Sequence, residues 1–237
     1  IFPVSLSPLS RTRGTMSRFI WPRAVAVCLA TLTPLAAAPA AAQEAPAAVT
    51  YPTADGGTIH AELYGEGSHA VLLAHGRIFN NESWEPLARQ LEIAGYRVLA
   101  IDFRGYGDST AGSDGNVLEM DILGGVRYLH EQQHAVAVSV IGGSMGGGAA
   151  ARAAILAAPG EIEALVLLSG GSVATPGQLH AARILFIASE GEGMTAGIRD
   201  QYAQAPDPKK LVLLPGDAHA QHIFKTDQAE RLTEEIL

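Results

Sequence analysis

The chain has 237 residues, with 16 Lys or Arg against 24 Asp or Glu, a formal net charge of −8 with histidine neutral. That balance argues against nucleic acid and anionic membrane surfaces as partners. Cys28 is the single cysteine, so no intramolecular disulfide or paired-cysteine metal site is possible.

The first 42 residues do not read as fold. Met16 is the expected start, with residues 1–15 upstream of it. Arg18 and Arg23 form a basic segment, an apolar run interrupted by Pro34 and Pro39 follows, and Ala40-Ala41-Ala42 precede Gln43. This succession predicts a signal peptide cleaved after Ala42, rather than a membrane span, and hence a secreted or periplasmic protein without stable membrane insertion. Lipid attachment at Cys28 is disfavoured because Val27 is not the small residue such processing prefers. Cleavage leaves 195 residues (237 less 42) and removes four arginines and no acid, for a charge of −12. That is one domain, long enough for a sizeable core, and it has no cysteine to act as a nucleophile.

Residues 43–54 are expected to form a loose leader and 55–237 the folded domain. "YPTADGGTIHAELYGEG", from Tyr51, resembles an antiparallel hairpin with a Gly-rich turn. Strands are then predicted at 70–75, 96–102, 135–141, 162–169, 183–189 and 210–216. Their nearly continuous apolar, β-branched character indicates burial on both faces, as in a parallel sheet. Helical spacing of apolar residues marks 83–95, 116–132 and 147–158, and Gly95 is suited to cap the first of these. The alternation predicts an α/β fold with a doubly wound, mostly parallel sheet and helices on both faces. Sites in such sheets gather beyond the carboxyl ends of the strands.

One such place is "VIGGSMGGGAAARAA", residues 140–154. Gly142, Ser144 and Gly146 make a G-x-S-x-G between a predicted strand and a predicted helix, the setting of a nucleophile held on a sharp turn. The glycines give room for close passage of two backbones, and the helix N-terminus favours a developing negative charge. No G-x-G-x-x-G or GK[ST] supports a phosphate loop here. The bland reading is an idle serine in a Gly-rich turn.

At this point the chain resembles the α/β-hydrolase family, as a lidless serine esterase. The resemblance covers most of residues 55–237 and rests on "LLAHG" ending at Gly76, "DFRGYGDS" at 102–109, "GGSMGG" around Ser144, and "PGDAHAQHIF" near the C-terminus. It implies hydrolysis of a small carboxylic ester through an acyl-enzyme, with no metal or organic cofactor. Ser144 would be the nucleophile and His219, in the loop after the last strand, its base. His222 is the competing histidine. The His219-x-x-His222 pair also admits a metal reading, a weak one without a third ligand. Family order places the acid between serine and histidine. "ASEGEGMT" offers Glu190 and Glu192, and the longer reach between Gly191 and Gly193 favours Glu192. A glutamate departs from the more frequent aspartate. Asp102 and Asp108 are expected to hydrogen-bond within the "RGYG" turn, and Asp217 lies too close to His219 along the chain.

The oxyanion would be held by the backbone N–H groups of Met145 and Arg77, with His75 ordering the loop beside them. Ile78, Phe79 and Trp84 are candidates for the pocket wall, although Trp84 is equally suited to anchor the first helix. The segment 170–182 is too short for a lid domain, which favours short soluble substrates. An amidase or peptidase uses the same groups, and a non-catalytic α/β-hydrolase-like binding protein is the alternative of another class.

Overall fold

A computed structural model describes residues 44–237. The expected start at Met16, signal peptide and cleavage after Ala42 lie outside the described residues. Eight strands form one sheet: β1 Ala47–Pro52, β2 Thr58–Tyr64, β3 His69–Ala74, β4 Arg97–Ile101, β5 Ala137–Gly143, β6 Ala164–Leu168, β7 Arg183–Ser189 and β8 Lys209–Leu214. Their spatial order is β1-β2-β4-β3-β5-β6-β7-β8. The pairs β1–β2 and β2–β4 are antiparallel, and every pair from β4–β3 to β7–β8 is parallel.

The helices are α1 Glu85–Ile93, α2 Leu118–Glu131, α3 Met145–Leu156, α4 Thr195–Gln204 and α5 Ala229–Ile236. Two apolar layers sandwich the sheet. Leu87 and Leu91 of α1 and Leu232 of α5 pack with Val71, Leu73 and Ile141 on one face. Ile122 and Leu129 of α2, the alanines of α3 and Ile198 of α4 pack with Leu72, Val140 and Leu167 on the other. Successive strand residues face opposite sides, so the continuous apolar runs supply both layers. Helix α1 ends on Gly95 at φ +90°. Its N–H donates to the Glu92 carbonyl at 2.9 Å, and the Tyr96 N–H to that of Leu91 at 3.0 Å, the paired bonds of a Schellman motif.

Two elements correct the sequence reading. The segment 43–54, expected as a loose leader, contains β1, paired with β2 from Ala47↔Leu63 to Pro52↔Thr58. Its alternation is thin because Tyr51 is its one fully buried side chain. The Tyr51 hydroxyl donates to the Asp121 carbonyl at 2.9 Å, and its ring stacks on Tyr128. Helix α4 was not expected. Its inward residues are Thr195, Ile198 and Gln201; two of the three are polar, so no apolar stripe marks it.

Strands β3 and β5 are neighbours, yet the chain leaves β3 through α1 on one face and β5 through α3 on the other. Loops that part in this way open a crevice at the strands' carboxyl ends. Gly76 follows β3 there, and Ser144 follows β5.

Candidate active site

Ser144 sits between β5 and α3 with φ +52° and ψ −111°. Positive φ is costly for a residue with a Cβ and persists only where its surroundings impose it. Here they do. A Cβ on Gly142 would lie 2.4 Å from the Gly146 carbonyl oxygen, and one on Gly146 2.3 Å from that of Ala74. Only glycines let strand, turn and helix pass this closely. The result is a half-buried serine hydroxyl at the N-terminus of α3.

His219 follows β8 and begins a 3-10 turn at Ala220–Lys225. Its Nε2 lies 2.7 Å from Ser144 Oγ, and its Nδ1 lies 2.6 Å from Glu192 Oε2. A carboxylate only accepts, so Nδ1 carries the proton and Nε2 is left to accept from the serine. The Glu192 side chain is 2% exposed and that of His219 37%. Glu192's other oxygen, Oε1, accepts the Ser169 hydroxyl at 2.6 Å, and Ser169 Oγ in turn accepts the Ala220 N–H at 3.1 Å. Ser169 is fully buried at the end of β6 with φ +47°.

The structure thus brings Ser144, His219 and Glu192 into one hydrogen-bonded row. Glu190 is exposed, and its backbone N–H continues the β7–β8 edge to Leu214. Asp217 is exposed as well. His222, the competing histidine, lies inside the 3-10 turn, and its ring rests 5.1 Å from that of Phe79. Among the described residues, no group of three or more His, Cys, Asp or Glu is placed to hold a metal ion.

Gly76 borders the row: a Cβ on it would be 3.4 Å from Ser144 Cβ. Its carbonyl accepts His75 Nδ1–H at 2.9 Å and the Phe79 N–H at 3.0 Å. His75 Nε2 accepts the Phe103 N–H at 3.2 Å, which fixes the tautomer. Burial pushes the His75 pKa down, against the hydrogen bond to Gly76 and the nearby Asp102 carboxylate, so the ring is a neutral two-sided spacer. No described residue accepts a hydrogen bond from the Arg77 or Met145 N–H. The Arg77 side chain is exposed, and its carbonyl accepts the Tyr106 hydroxyl at 2.7 Å.

Of the other candidates, Trp84 is fully buried and packs on Phe224, so it anchors α1 rather than lining a pocket. Ile78 is 74% exposed. Asp102 accepts the Asn81 N–H at 2.8 Å and ties two loops together; Asp108 is exposed. Between β6 and β7 there is only a loop with one 3-10 turn, Pro176–Gln178, so nothing inserted there covers the row. Sequence reasoning missed Ser169 and Gln221. Gln221 Oε1 accepts the Gly76 N–H at 2.7 Å, and no spacing rule marks either residue.

A family model described as the alpha/beta hydrolase fold matches residues 69–189. A 2-hydroxy-6-oxononadienedioate/2-hydroxy-6-oxononatrienedioate hydrolase of Cupriavidus pinatubonensis is 34% identical over 121 residues, 48% of this chain and 40% of that protein. The chain spans 33–42% of the length of the curated relatives it matches. Among solved structures, a dienelactone hydrolase from Anabaena variabilis aligns with TM-score 0.67 at 20% identity, over 82% of this chain and 96% of that one. An esterase from Exiguobacterium antarcticum aligns with TM-score 0.64 at 17% identity, over 80% of this chain and 98% of that one.

Proposed function

Because the chain belongs to the α/β-hydrolase family, we propose that it is a serine hydrolase that cleaves short, soluble carboxylic esters through an acyl-enzyme. The observation that carries this reading is the unbroken row Ser144 Oγ, His219, Glu192 with contacts of 2.7 and 2.6 Å. A buried carboxylate behind an imidazole behind a hydroxyl on a strained turn is an activated nucleophile. A binding protein has no use for that order.

In the reaction, Ser144 Oγ attacks the ester carbonyl carbon as His219 Nε2 takes its proton. Glu192 stabilises the imidazolium and does not itself take a proton. The carbonyl oxygen becomes an oxyanion, held by the free N–H groups of Arg77 and Met145 at the positive end of α3. Collapse breaks the bond to the alkoxy oxygen, and His219 delivers its proton to the departing alcohol. Water, deprotonated by His219, then attacks the acyl carbon; the bond to Ser144 Oγ breaks, His219 returns the proton to Oγ, and the carboxylic acid leaves. These steps require no metal or organic cofactor.

The short loop between β6 and β7 supports the preference for small substrates. The basic, apolar and Ala-rich succession of residues 16–42 supports export before the enzyme acts outside the cytoplasm, and N-terminal sequencing of the exported protein checks that part. The function is tested on p-nitrophenyl esters of increasing acyl length, with the matching anilides alongside. Acetate or butyrate esters should turn over with a pre-steady-state burst and the highest kcat/KM. Faster cleavage of anilides would make it an amidase, and preference for emulsified long-chain esters would contradict the open site.

A further inference from the structure

Gln221 is 3% exposed and sits two residues after His219. Its amide oxygen is wedged between two glycines: a Cβ on either Gly76 or Gly143 would approach it to 3.2 Å. That oxygen accepts the Gly76 N–H at 2.7 Å. The amide nitrogen donates to Ser83 Oγ at 2.5 Å, and Ser83 donates onward to the Asn80 carbonyl at 2.6 Å. One neutral side chain therefore joins the loop after β8, the loop after β3 and the turn that starts α1.

The consequence falls on the peptide between Gly76 and Arg77. Its carbonyl is fixed by His75 and Phe79. A trans peptide is planar, so its N–H points opposite to its carbonyl, and fixing one end aims the other. Gly76 tolerates many backbone conformations, and its own N–H would be free to swing were it not tied to Gln221. With both the N–H and the carbonyl of Gly76 held, the Arg77 N–H has one direction available.

We propose that Gln221 is a positioning residue that aims the Arg77 N–H at the oxyanion and locks the oxyanion loop to the loop carrying His219. The role rests on the serine-hydrolase reading above and adds a residue to it. The hydrogen bonds of Gln221 go to Gly76 and Ser83 and not to Ser144, so it acts through Gly76. An oxyanion donor matters only once negative charge develops, so the effect belongs to the transition state and not to substrate binding.

The test replaces Gln221 by methionine, which retains an unbranched side chain of similar length but neither hydrogen bond. Activity is expressed per site titrated with a fluorophosphonate, so unfolded protein is not counted. In Gln221→Met, kcat for p-nitrophenyl butyrate should fall by about 10- to 100-fold with KM within about twofold, as for weakening an oxyanion donor. The Ki of a trifluoromethyl ketone, which forms a tetrahedral oxyanion on serine, should rise by the same factor. Ser83→Ala, which removes the far end of the brace, should move both quantities in the same direction but by less. The double variant should be no worse than Gln221→Met alone, since the two residues act as one unit. Wild-type kcat and ketone Ki in Gln221→Met, or full additivity with Ser83→Ala, would overturn the inference while leaving Ser144 as nucleophile. A wild-type protein with no titratable site would overturn both.

Discussion

Two buried polar networks among the described residues differ in character. One is Arg104 with Asp55 and Asp121, whose side chains are 0–2% exposed. Arg104 donates to Asp121 through Nε at 2.8 Å, to Asp55 at 2.8 and 3.0 Å, and to the Gly115 carbonyl at 2.6 Å. The Asp121 carboxylate also accepts the Arg104 backbone N–H at 3.0 Å. The hydrogen bond from Arg104 holds the Asp55 carboxyl well below the usual carboxylate range. Each of the three side chains is hydrogen-bonded inside the network, which pins the turn after β1, the loop after β4 and the start of α2. The second network, Ser169–Glu192–His219–Ser144, is equally well bonded at its buried end. It terminates in a half-buried hydroxyl, and no described residue accepts the N–H of Met145, which follows Ser144, or of Arg77, which follows Gly76. A closed network stabilises the fold, and an open one is left with valences for a substrate.

The comparison is broken most severely at the open end. Ser144→Ala should lower kcat for a short ester by on the order of 10⁴-fold or more, as loss of a nucleophile does. Its melting temperature should stay near that of wild type, because the hydroxyl is half-buried and a strained φ is no worse for alanine. Ester turnover measured beside a thermal melt checks both halves. Glu192→Gln should reduce kcat by about 10² to 10⁴ through the lost stabilisation of the imidazolium, while the exposed Glu190→Gln leaves it nearly unchanged. The reverse pattern would move the acid to Glu190.

The closed network should answer in the other quantity. Arg104→Met strands two buried carboxylates, and breaking such a pair from one side costs roughly 3–5 kcal/mol. Urea denaturation should show that loss, while kcat per titrated site stays close to wild type. A large fall in kcat with stability intact would erase the distinction between the two networks. The smallest effect is expected where the open network is most buried. Ser169→Ala removes one of the two donors to Glu192 and should lower kcat about tenfold, with a modest loss of stability from the unpaired Oε1. No change in kcat would make Ser169 a packing residue only.

The same contrast explains how much of the molecule its sequence discloses. The six parallel strands β3 to β8 are legible because their apolar runs supply both layers, Leu72, Leu99 and Val140 facing one and Leu73, Val98 and Ile141 the other. Ser144 is legible because Gly142 and Gly146 must be glycines for the turn to close, and a spacing rule captures that. Strand β1 is hidden because an edge strand with Tyr51 as its one deeply buried residue has little alternation. Helix α4 is hidden because Thr195 and Gln201 turn inward to hydrogen-bond, Gln201 to the Val173 N–H at 2.9 Å. Ser169 and Gln221 are hidden for a related reason. A buried polar side chain is identified by its partners, and those lie 23 residues away at Glu192 and 145 away at Gly76.

The central claim is that Ser144 is the activated nucleophile of this fold. It is tested most directly by treating the purified protein with a fluorophosphonate and locating the adduct by peptide mass mapping. A single stoichiometric adduct on Ser144, formed far more slowly in Glu192→Gln and absent from Ser144→Ala, is the expected result. No adduct on the folded wild-type protein, or an adduct on a different serine, would contradict the account.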